Sequence, residues 1–71
     1  MSRENEMYIK TGKRLETARA GRPMLEVCQA VGITVSSLCA YEAGQRVPCD
    51  SVKRKLSEYY GKPIAQLFFA L

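Results

Sequence analysis

Histidine and tryptophan are absent from these 71 residues, and two phenylalanines and four tyrosines are the only aromatics. The missing histidine removes the commonest general base and the commonest metal ligand together. No paired carboxylates take its place, so nothing nominates an enzyme mechanism. The three cysteines, Cys28, Cys39 and Cys49, are odd in number and never stand at C-x-x-C spacing. Neither a disulfide framework nor a zinc site is therefore expected; Cys28 reads as a small core residue and the other two as reduced thiols. No cofactor is expected. The longest apolar stretch, Ile64 to Leu71, is interrupted by Gln66 and falls far short of the about 20 residues a bilayer demands. Met1 to Lys10 is polar where a secretory signal needs an apolar run. The expectation is one cytoplasmic domain over residues 1–71, too small for a second core and with no membrane partner.

Lysine and arginine are also missing from the middle of the chain. The eleven basic residues outnumber the seven acidic ones for a net charge of +4, yet none lies between Pro23 and Gln45. That centre carries only Glu26 and Glu42. The flank Met1–Arg22 holds Arg3, Lys10, Lys13, Arg14, Arg19 and Arg22 against three glutamates, and Arg46–Leu71 holds Arg46, Lys53, Arg54, Lys55 and Lys62 against Asp50 and Glu58. An apolar, weakly acidic centre between two basic flanks suits a polyanionic partner met by the flanks.

What is present is helical spacing. No apolar–polar alternation is long enough for a strand. Tyr8, Thr11, Leu15 and Ala18 step by three and four, which predicts an amphipathic helix over roughly residues 6–20, with residues 1–5 frayed. Pro23 suits the first position of a second helix, and Arg22 before it suits the cap. Val27, Cys28 and Val31 line that helix, and Gly32 ends it. Thr34 is a strong N-cap for a third helix near Val35–Ala43, with Leu38 and Tyr41 inward and Gly44 closing it. Asp50 reads as the next N-cap, before a helix with Val52, Leu56, Tyr59 and Tyr60 on one side and Lys53, Arg54 and Lys55 on the other. Gly61 stops it, and a last turn or two follows from Pro63 to Phe69. The predicted class is all-α, with five short helices.

The second and third helices are joined by the tight turn Val31-Gly32-Ile33-Thr34. So short a turn forces a steep crossing and makes the third helix project, as in a helix-turn-helix. Thr34, Val35, Ser36 and Ala40 then face away from Leu38 and can enter a major groove.

These residues carry a resemblance. Val31-Gly32-Ile33-Thr34-Val35-Ser36-Ser37-Leu38, followed by Tyr41-Glu42-Ala43-Gly44-Gln45-Arg46-Val47-Pro48, resembles the Cro and repressor type of helix-turn-helix, also called the xenobiotic-response-element family. The likeness extends upstream through Gly12-Lys13-Arg14-Leu15 and Ala18-Arg19, and downstream through Leu56-Ser57 and Ile64–Phe68. It implies a lambda-repressor-like helix-turn-helix domain whose third helix is the recognition helix. On that likeness Val35, Ser36 and Ala40 match positions at base edges. Thr34, Gln45 and Arg46 match positions near phosphates, and Arg19 matches the arginine that pairs structurally with the glutamate after the recognition helix, here Glu42. The chain departs from the pattern in three places. Its linker between the first two helices is about two residues short, Pro23-Met24 replaces Ser or Thr followed by Gln, and Arg22 replaces a core leucine.

The third helix offers no Arg, Lys, Asn or Gln to base edges, so base reading falls to hydroxyls and methyls, from Thr34, Val35, Ser36 and Ala40. Affinity is expected from phosphate contacts through Gln45, Arg46, Lys53 and Arg54, with Lys10 and Lys13 contributing. The apolar tail exceeds what a last turn can bury, and one of Phe68 and Phe69 must face outward. Leu67, Phe68, Phe69 and Leu71 are therefore expected at a homodimer contact. The function expected is a dimeric, Cro-like repressor of a phage or mobile element that binds a two-fold-related operator on double-stranded DNA. No small-molecule effector is expected. The alternative is a protein-interaction module, an antitoxin or adaptor, whose helix-turn-helix no longer reads bases.

Overall fold

The alternation of apolar and charged positions at helical spacing is realised as helix throughout. A computed structural model describes residues 3–69, with side chains from Tyr8 to Phe69, and among these there is no strand. Four α-helices, α1 (Arg3–Arg19), α2 (Met24–Val31), α3 (Val35–Glu42) and α4 (Asp50–Tyr60), are followed by a π-helical segment, Ala65–Phe69. Helix α1 is described from Arg3; Met1 and Ser2, part of the 1–5 segment expected to fray, lie outside the described residues.

The stripes converge on one core of Leu15, Ala18, Val27, Cys28, Val31, Leu38, Tyr41, Leu56, Tyr60, Leu67 and Phe68. Met24, Ile33, Val52, Tyr59 and Ile64 pack around it. Helix α1 lies against α3 on one side and the π-helical segment on another, while α2 packs on α3 and α4. The approach of α1 to α3 depends on Gly12. A Cβ there would collide with the backbone carbonyl of Glu42, which no side chain tolerates.

Two caps differ from expectation by one residue. Pro23 occupies the cap position of α2 rather than its first turn, and its carbonyl accepts from the amides of Glu26 and Val27. Cys49, not Asp50, caps α4, and its side chain makes no capping bond. Asp50 sits in the first turn instead, where the helix dipole still favours a carboxylate. A third correction concerns the tail. Leu67 and Phe68 were expected at a dimer contact, but they are only 1% and 6% exposed because the π-helical segment folds them into the core between α1 and the rest. Leu71 lies outside the described residues. Phe69, 62% exposed, is the member of that set that faces outward.

No single helix is long and apolar enough to cross a membrane. The pair α2 and α3 reaches that length and composition only when taken together, across a bend of 109°.

Candidate nucleic-acid interface

The turn Gly32-Ile33-Thr34 sets the geometry. Gly32 adopts φ 83°, a left-handed conformation open to glycine at little cost, and the amides of Gly32 and Ile33 both donate to the carbonyl of Cys28. Thr34 then turns extended, and its Oγ1 accepts the amide of Ser37 at 3.0 Å, starting α3 within three residues of the end of α2. The chain changes direction by 109° between the two helices. This lies in the range of about 90–120° typical of a helix-turn-helix arrangement.

Leu38 and Tyr41 anchor α3 from beneath. At about 100° per residue the opposite face carries Ser36, Cys39 and Ala40, with Val35 at its edge. Val35 and Ser36 are exposed and Ala40 is half-buried. Thr34 is exposed too, but its hydroxyl is engaged as the cap and donates onward to Ser37 Oγ at 3.0 Å, so it offers a methyl more readily than a hydrogen bond. Cys39 belongs to this face and is exposed, its thiol donating to Met24 Sδ at 3.5 Å. Sequence reasoning passed it over as a bland thiol. The signal was its spacing, three residues after Ser36 and four after Val35.

The far end of α3 is held by a fork. Arg19 donates from Nε to Glu42 Oε2 at 2.8 Å and from a terminal nitrogen to Oε1 at 3.0 Å. Its other terminal nitrogen donates to the carbonyl of Arg22 at 2.8 Å. The side chains are 17% and 6% exposed, so the pair is largely out of water. The hydrogen bond to Glu42 holds the Arg19 guanidinium above its ordinary range, against the opposing pull of burial. A pair so placed reads no sequence; it ties the end of α1 to the end of α3.

Arg22, which stands where the resembled pattern has a core leucine, keeps an apolar surface as its partner. Its guanidinium lies 5.3 Å from the Tyr59 ring centroid and 5.8 Å from that of Tyr60. Met24, in place of a polar residue, likewise turns to the core edge.

The expected phosphate contacts divide. Gln45, Arg46 and Arg54 are exposed. The Arg46 guanidinium rests 5.7 Å over the Tyr41 ring, close behind α3. Lys53 is half-buried, with its ammonium 5.1 Å from Phe69 and 5.6 Å from Phe68. The structure thus brings one expected phosphate contact and one expected dimer residue onto the same patch, which neither stripe announced. Among the described residues no group of three His, Cys, Asp or Glu could hold a metal ion. No protein family, curated protein or solved structure matches this chain.

Proposed function

We propose that this chain is a cytoplasmic, sequence-specific regulator of transcription of the lambda-repressor-like helix-turn-helix type, a Cro-like repressor that binds double-stranded DNA as a homodimer. One observation carries the reading: α3 is set at 109° to α2, with an uncharged outer face and its only charged side chain neutralised by Arg19. An eight-residue helix is about 12 Å long, which suits a major groove about 12 Å wide. Arg46 and Arg54, both exposed, are the side chains this reading assigns to the phosphate backbone. Val35, Ser36, Cys39 and Ala40 offer methyls, a hydroxyl and a thiol, which suit thymine methyls and discriminate less than the ~1–3 kcal/mol of a bidentate pair. Specificity then leans on DNA shape and two-fold repetition.

Selection from a randomised duplex pool at roughly 50 and 200 mM salt tests this. A two-fold-related motif whose affinity falls steeply with salt is expected. Arg46→Ala should weaken binding to every sequence about equally, whereas Ser36→Ala should change the preferred sequence more than the affinity. Equal effects of both changes on selected and random duplexes would defeat this division. The second reading, an antitoxin or adaptor module, is favoured by the exposure of Phe69. It gains if only weak, sequence-blind binding is recovered.

A further inference from the structure

We infer that the cleft between α1 and the π-helical segment binds a small organic anion with an apolar body. The cleft measures about 370 Å³, within the range of small-molecule sites. Lys13, Arg14 and Thr17 of α1 form one wall, and Lys62 and Gln66 form the other. Three basic residues and no carboxylate are in the lining. Among the described residues the ion pair is Arg19–Glu42, so no described carboxylate lies within 4.0 Å of these three cations. An anion in the cleft meets basic side chains from both walls. Ala18 and Leu67 at the base are nearly buried, so the carbon surface of the cleft comes from the methylene stems of Lys13, Arg14 and Lys62. A bare inorganic ion would leave that carbon surface in water, whereas an aromatic or aliphatic acid covers it.

The cleft stands apart from α3. Gly12 marks the side of α1 that meets Glu42. At about 100° per residue, Lys13, Arg14, Thr17 and Ala18 centre on the opposite side. A ligand there leaves the α3 face open, so the inference does not rest on the DNA reading. Residues 13–18 and 62–67 are far apart along the chain, which is why the sequence pattern led to no expectation of an effector.

The test is an amide-resolved NMR titration of the full chain with 1-naphthoate, its neutral analogue 1-naphthylmethanol, and inorganic phosphate. Naphthoate should shift amides within 13–18 and 62–67 saturably, and the alcohol and phosphate should each bind at least about fivefold more weakly. The double variant Lys13→Gln/Lys62→Gln should lose about tenfold in naphthoate affinity with its melting temperature unchanged. Shifts centred on Phe69, or none in these segments, would overturn the site. Equal binding of the alcohol would remove the role of the cations, and equal binding of phosphate would remove the apolar body.

Discussion

The Tyr60 hydroxyl is buried with no hydrogen-bond partner among the described residues, beside the Arg19–Glu42 fork and under Arg22. Burial, with a smaller push from Glu42, raises its pKa from 10.0 to about 12. The sign follows from which state loses its proton first. Below pH 10 the phenol is neutral folded or unfolded. Between pH 10 and 12 only the unfolded chain ionises, so stability falls by about 1.4 kcal/mol per pH unit from this group. Thermal melts of the native chain and Tyr60→Phe should therefore diverge across that window, by on the order of 5 °C per pH unit. At neutral pH the variant should be as stable or up to about 1 kcal/mol more so, because an unpaired buried hydroxyl is removed. Parallel melting curves above pH 10 would show that Tyr60 ionises as freely folded as unfolded. Gly12 makes the opposite case. Gly12→Ala drives a methyl against the Glu42 carbonyl and should cost at least about 2–3 kcal/mol, read as loss of the cooperative melt in a domain with only a few kcal/mol to lose. Neither residue announced its role in the sequence. Tyr60 read as one tyrosine of a stripe, and only its neighbours' positions determine whether its hydroxyl finds a partner. Gly12 read as part of a likeness, since a close approach between α1 and α3 is a property of the packed pair.

Helix limits were legible where local chemistry decides them and shifted where it does not. Thr34 caps α3 as expected, because a threonine after a glycine turn meets its own helix within three residues and needs no tertiary help. Gly32 and Gly61 end α2 and α4 in left-handed conformations for the same local reason. The start of α4 shows the limit. Its phase is set by burying Leu56 and Tyr60 along one face, a demand indifferent to where the first turn begins. The cap therefore moves to Cys49, whose sulfur lies 3.3 Å from Ser51 Oγ and makes no capping hydrogen bond. Two consequences follow. The Ser51 hydroxyl and nearby amides hold the exposed Cys49 thiol below its usual pKa. And α4 begins with an empty cap, so Cys49→Ser should stabilise the fold by about 0.5–1 kcal/mol, visible as a higher denaturant midpoint at unchanged slope. No gain would mean that water already satisfies those amides as well as a hydroxyl can.

On the scale of the whole molecule, the dimer is where the magnitudes decide. With Leu67 and Phe68 withdrawn into the core, Phe69 is the large apolar side chain that the closing segment leaves open among the described residues. Covering the exposed part of one phenylalanine is worth roughly 2–3 kcal/mol, so a symmetric pair contributes about 5. Association costs an estimated 4–15 kcal/mol in lost freedom, and Lys53 packed over the ring must also be accommodated. The balance is near zero or unfavourable in free solution. Should two copies sit one helical turn apart on DNA, as the proposed function requires, binding to the duplex has already removed most of that freedom, and the Phe69 contact then adds a favourable term. The chain should therefore sediment as a monomer at about 10 µM, yet bind paired half-sites cooperatively. Phe69→Ser should abolish the cooperativity, leave the affinity for a single half-site within about twofold, and leave the melting temperature unchanged, since the ring is mostly outside the core. A stable dimer without DNA would show that Phe69 is not the whole contact. Cooperativity that survives Phe69→Ser would mean the two copies communicate through the bent duplex instead of through protein.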